Sequence, residues 1–72
     1  MYRPHHRRVF GNAIRSYRRK AGLTQEKLAE RADLHHNFIG EVERGSMECS
    51  LTSMVKISKA LGVRVRDLVT GI

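Results

Sequence analysis

A chain of 72 residues accommodates one domain at most, and a core that small is stable only with good packing or a partner's help. Its 14 lysines and arginines against 7 acidic residues leave a net charge of +7, which suggests a polyanionic partner, nucleic acid before membrane. The single cysteine, Cys49, excludes an intramolecular disulfide, no Cys/His set has zinc-finger spacing, and no apolar run approaches the ~18 residues of a membrane span or resembles a secretory signal, so a reducing, cytoplasmic setting is expected.

In chain order, residues 1–6 form a basic N-terminal arm, with Pro4 discouraging helix before it, and residues 7–72 form the folded domain. From about Arg7, the residues Phe10, Ala13, Ile14, Tyr17 and Ala21 recur at helical spacing, and Gly22 closes this first helix. Arg3, Arg7, Arg8, Arg15, Arg18, Arg19 and Lys20 make residues 1–20 strongly basic, with no acidic residue among them. The helix is therefore basic outside and apolar inside. Its apolar face is too narrow to serve both a membrane surface and a core.

Thr24 is a good N-cap for a second helix, whose Leu28, Ala29 and Ala32 commit one face to the core. After Asp33 and Leu34, a third helix starts near His35 and ends at Gly45. Ile39 and Val42 point inward on it, with Leu34 and Phe38 at the margin. His36, Asn37, Gly40, Glu41 and Arg44 share the opposite face, which carries hydrogen-bonding groups and no large apolar residue. Gly40 costs a helix about 1 kcal/mol relative to alanine, and on this side that cost suggests room for close backbone approach. Residues 21–50 set Lys27, Arg31 and Arg44 against Glu26, Glu30, Asp33, Glu41, Glu43 and Glu48, so the positive field comes mainly from the N-terminal part.

Residues 46–50 read as a loop, and Ser50 caps a fourth helix with Leu51, Met54, Val55, Ile57, Ser58 and Leu61 on its apolar face, ending at Gly62. A short fifth helix spans about Arg64 to Val69. Val63 to Val65 is the one β-prone run, too short to build a sheet, so the fold class is all-α with five helices.

The ordered motifs F-G-x-x-I-R-x-Y-R, G-L-T-Q-E-K-L-A, L-H-H-N-F-I-G-E-V-E-R-G and S-L-x-x-M-V-K-I-S-K-A-L-G-V resemble the Cro/lambda-repressor-like (XRE-type) helix-turn-helix DNA-binding domains over roughly residues 9 to 70. The resemblance implies that the helix from Gln25 crosses the DNA backbone and that the one from His35 is the recognition helix in the major groove. It implies that Gln25 bonds a phosphate and braces that helix, that His36, Asn37 and Glu41 reach base edges, and that His35 lies near the phosphates. The chemistry agrees: Asn pairs bidentately with adenine, Glu accepts from the cytosine amino group, and His donates to guanine or a phosphate. Acidic residues near DNA also repel, so a merely solvated Glu41 is the competing reading. The resemblance further implies a partly buried ion pair between Arg18 and Glu43.

Where related domains carry basic, Asn and Pro residues after the glycine, this chain has Ser46, Met47, Glu48 and Cys49. Arg44 and the Ser46 amide are then the expected backbone donors there. Arg3, Arg7 and Arg8 of the basic N-terminal part are candidates for flanking phosphates or a groove, against the alternative of a frayed terminus that only adds charge. His35 and His36 do not make a metal site, because adjacent helical residues diverge by ~100° and no third ligand lies near in sequence.

One short recognition helix reads few base pairs, so a homodimer on half-sites ~34 Å apart is expected. Its interface is expected on Val63, Val65, Leu68, Val69 and Ile72, which could alternatively complete the monomer core. Two functions follow: an operator-binding transcriptional regulator, such as a phage-type repressor or restriction-modification controller, or an antitoxin-like protein-interaction module on the same fold. No nucleophile–base pair, phosphate-cradling loop, cofactor motif or small-molecule site is evident, so an enzyme is not expected.

Overall fold

The computed structural model describes residues 5–72, which form five helices and no strand: α1 His5–Lys20, α2 Gln25–Ala32, α3 His36–Glu43, α4 Leu51–Leu61 and α5 Val65–Val69. Local chemistry sets most of these boundaries. The Thr24 hydroxyl accepts from the Lys27 amide at 3.0 Å and the Ser50 hydroxyl from the Ser53 amide at 3.1 Å, so α2 and α4 start at capped ends. At the end of α1 the Leu23 amide donates to Arg18 O and the Gly22 amide to Arg19 O, both at 3.0 Å, with Gly22 at φ 72°. This closing motif buries the residue after the glycine, so Leu23 joins the core while Ala21, expected there, is exposed. The same motif at Gly62 turns Val63 toward the core.

Three sequence expectations need correction. α1 begins at His5, so His5 and His6 are helical rather than part of the arm; a proline restricts the residue before it, not those after it. Residues 1–4 of the arm, Arg3 among them, lie outside the described residues. Leu51 is 68% exposed, because it opens α4 and its side chain points back beyond the packed turns. Leu68, expected at a dimer interface, is fully buried in the core.

Ile14, Leu28, Ile39, Val42, Ile57 and Leu68 are the largest fully buried side chains, one or two from each helix. α2 packs on α3 and α4, and α1 spans α3 and α5, so α3 is held from both sides. Gly11 makes the α1–α3 crossing close: a Cβ there would fall 2.3 Å from Val42 O and 2.8 Å from Glu43 O. Between α2 and α3, Asp33 takes a left-handed conformation (φ 56°) and the Leu34 amide reaches back to Ala29 O at 2.9 Å. The chain reverses within three residues, Asp33, Leu34 and His35.

Candidate nucleic-acid interface

The position of α3 is fixed by a buried carboxylate. Glu43, at 2% exposure, accepts from Arg18 Nε at 2.6 Å and Nη2 at 3.1 Å, from Gln25 Nε2 at 3.1 Å and from Arg15 Nε at 3.3 Å. Arg18 Nη1 also donates to Leu23 O at 2.9 Å, which anchors the guanidinium at the α1–α2 turn. Burial alone would push the Glu43 carboxyl up, but the hydrogen bonds from Arg18, Gln25 and Arg15 and the charge of Arg18 outweigh it and hold the group below the usual carboxylate range. One side chain at the end of α3 thus ties together α1, α2 and α3. Arg15 was not singled out from the sequence, although it lies one turn before Arg18 on the same helical face.

Gln25 is placed to brace α3, as the family resemblance implies, and its side chain lies against Gly40. A Cβ on Gly40 would come within 3.3 Å of Gln25 Oε1 and of Arg44 Nη1. Gly40 is buried, and its missing side chain permits the close approach of α2 beside the recess that Gly40 also borders.

With α3 so held, Gln25, Glu26, His36, Asn37, Gly40, Glu41 and Arg44 border a polar recess of ≈ 230 Å³. Glu26 is an addition that the sequence reading missed; it enters because the first turn of α2 faces the start of α3. Among the described residues, the side chains of Asn37, Glu41 and Arg44 make no hydrogen bond or ion pair within the chain. Asn37 and Arg44 are exposed and Glu41 is half-buried, all three at the rim of the recess and available to a ligand.

His35 caps α3: its Nδ1 accepts from the Asn37 amide at 3.2 Å. Its ring stacks on that of His36, centroids 4.5 Å apart and planes inclined by 22°. The ~100° divergence of adjacent helical residues does not apply, because His35 has an extended ψ of 138°. Near-parallel rings do not converge their lone pairs on one ion, and no group of three His, Cys, Asp or Glu among the described residues is placed to hold a metal.

The expected backbone donors fare differently. Arg8 and Arg44 are exposed. Arg7 Nε donates to Glu48 Oε1 at 3.2 Å, and His6 Nε2 lies 3.2 Å from the same oxygen, so Glu48 offsets part of this basic cluster. Hydrogen bonding from Arg7 holds the Glu48 carboxyl low and therefore ionised. Ser46 is a correction: its amide (3.1 Å) and hydroxyl (3.0 Å) both donate to Glu41 O, closing the end of α3, so neither is left for a phosphate. Of the expected interface residues, Val63 and Val69 are half-buried against the core, Val65 is half-buried, and Ile72 is 62% exposed. An apolar groove of ≈ 220 Å³ lies between Phe10, Met47, Cys49, Met54, Val69 and Ile72, unforeseen because its walls come from α1, α4, α5 and the loop.

The helix-turn-helix family matches residues 14–68. The chain belongs to this family. The resemblance read from the sequence motifs, and the five-helix lambda-repressor-like architecture that it implied, therefore both hold. Among relatives, control protein C.BamHI of Bacillus amyloliquefaciens is 48% identical over 63 residues, 86% of this chain and 78% of the relative. Among solved structures, the restriction-modification controller protein C.AhdI from Aeromonas hydrophila superposes with a TM-score of 0.84 at 37% identity, covering 86% of this chain and 94% of that one. SinR, a master regulator for biofilm formation solved in complex with DNA, superposes at 0.79 with 30% identity over 82% of this chain and 95% of its own. No helix of the described residues is long and apolar enough to cross a membrane.

Proposed function

We propose that this helix-turn-helix chain is a sequence-specific, double-stranded-DNA-binding transcriptional regulator of the restriction-modification controller type, acting in the cytoplasm as a homodimer and by binding rather than catalysis. The observation that carries this reading is the contrast across α3. Its inner end is locked by Glu43, while the side chains of Asn37, Glu41 and Arg44 on the other side have no hydrogen-bond or ion-pair partner among the described residues. A rigidly held helix with unspent hydrogen-bonding groups suits base edges in a major groove, where a small misplacement of donor or acceptor forfeits discrimination.

In this reading His36, Asn37 and Glu41 reach base edges, and Gln25, His35, Arg44, Arg7 and Arg8 lie along phosphates. Similarity to C.BamHI and C.AhdI favours the controller type over the antitoxin-like module. The dimer is supported by apolar surface that a monomer leaves wet: Met47 at 40%, Leu51 at 68% and Ile72 at 62% exposure, with the groove beside Met54 and Val69. Val69 lines the groove, and the buried Leu68 has no part in it.

Titrating duplex DNA against salt tests the binding claim. With about 6 phosphates neutralised, log affinity falls with log salt at a slope near −5. A slope near zero would reject it. Sedimentation tests the dimer: the native chain sediments as a dimer at high concentration and Ile72→Asp as a monomer, and a monomeric native chain would contradict the proposal.

A further inference from the structure

His35 and His36 form one object rather than two independent contacts. The His35 ring is fixed at one edge by the hydrogen bond from the Asn37 amide to Nδ1 at 3.2 Å. A backbone amide only donates, so Nδ1 is unprotonated and the neutral ring carries its proton on Nε2. Against this fixed ring lies the His36 imidazole, at 4.5 Å between centroids and 22° between planes. Both residues border the shallow recess between α2 and α3 that Ala29 and Leu34 also line. Among the described residues the His36 side chain has no hydrogen-bond partner, so the stacked face is what orients it.

We propose that His35 is a positioning residue for base discrimination: locked as the N-cap of α3, its ring is the platform that holds His36 in the orientation in which it reads a base. This rests on the reading of α3 as the recognition helix and goes further, because it gives His35 a part in specificity beyond a phosphate contact. The physical content is pre-organisation. A surface imidazole that must be immobilised on binding loses part of its interaction free energy to ordering, whereas one already stacked does not. The lock and the stack can be removed one at a time, because a cap needs only an acceptor and a stack only a ring, although a ring without the lock is held less firmly.

Two substitutions separate them. His35→Asn keeps a good cap and removes the ring; His35→Phe keeps a ring and removes the cap. We expect His35→Asn to fold as stably as the native chain, to lose the upfield ring-current shift of the His36 ring protons in the DNA-free protein, and to lower the ratio of operator to non-operator affinity by roughly 2- to 10-fold. His35→Phe should melt at a lower temperature and, with a ring that stacks without being locked, restore the ring shift and the ratio only in part. His36→Ala is the control, and combined with His35→Asn it should lose no more discrimination than it loses alone.

If His36→Ala lowers discrimination but His35→Asn does not, the platform is refuted while α3 remains the reading helix. Full additivity of the two losses would also refute it. If neither His36→Ala nor Asn37→Ala alters discrimination, the recognition-helix reading fails, and the platform with it.

Discussion

Replacing Glu43 by alanine probes the element on which the placement of α3 depends. The Glu43 side chain is fully buried and that of Arg18 only 12% exposed, so removing the carboxylate strands a guanidinium with little water to compensate it. Breaking a buried pair from one side costs about 3–5 kcal/mol, and the surviving bond from Arg18 Nη1 to Leu23 O argues for the lower end, about 3. At roughly 0.05–0.15 kcal/mol per residue, a domain of this size has on the order of 4–11 kcal/mol in total. Glu43→Ala therefore removes a large part of it. A double-mutant cycle with Arg18→Ala, read by urea unfolding followed by far-UV circular dichroism, should give a coupling of about 2 kcal/mol or more, whereas exposed pairs give about 1 or less. The pH dependence has a definite sign. The folded Glu43 carboxyl lies below its ordinary 4.5, so its contribution is fully present above that value and is lost as pH falls through the lowered folded value. A coupling near zero, or an acid limb that Glu43→Gln leaves unchanged, would refute the argument.

Other consequences are open to direct test. Gly11→Ala drives a methyl into the carbonyls of Val42 and Glu43, so it should destabilise by about 1–3 kcal/mol or more and weaken DNA binding by displacing the end of α3; a fully stable variant would contradict the packing. Arg8→Ala should weaken binding to all sequences alike and reduce the salt slope by ~1, and Glu48→Gln should strengthen binding to all sequences alike by releasing Arg7; a change of preferred sequence in either would mean that these residues are misplaced. Burial, and then the charge of Glu48, push the Cys49 thiol up to about 11 from its ordinary 9.0. At pH about 8 this leaves about 100-fold less thiolate than an unperturbed cysteine, so alkylation should be slow until urea unfolds the chain; rapid labelling of the native protein would count against the burial.

Features that act within a few residues were readable from the sequence. Thr24, Ser50, Gly22 and Gly62 mark helix ends because capping is a local hydrogen-bonding problem, and Ile14, Leu28, Ile39 and Ile57 declare themselves by helical spacing. Features that need the fold were not. Glu43 meets Arg18 across 25 residues of chain, a pairing implied by family resemblance and invisible to spacing, and Arg15 completes it only once α1 lies across α3. Leu68 and Ile72 look equivalent in sequence, yet one fills the core and the other stays in water, because α5 ends between them. Gly40 borders the recess on the outer side of α3, as its helical face implies, but the room that it leaves is taken by Gln25 of α2. Ser46 offered two donors until the end of α3 claimed both. The histidine stack depends on a backbone turn at His35 that two adjacent letters cannot convey.

Sites selected from random duplex DNA by the native protein and by Asn37→Ala, compared base by base, test the central claim most directly. Asn37 carries an exposed side-chain amide on a helix fixed by Glu43, and none of the described residues bonds to it. The native protein should return a two-fold symmetric site with half-sites ~34 Å apart, and Asn37→Ala should lose preference at one position in each half-site while the rest persists. An unselective native pool, or the same site recovered by both proteins, would contradict the assignment of α3 as the element that reads sequence.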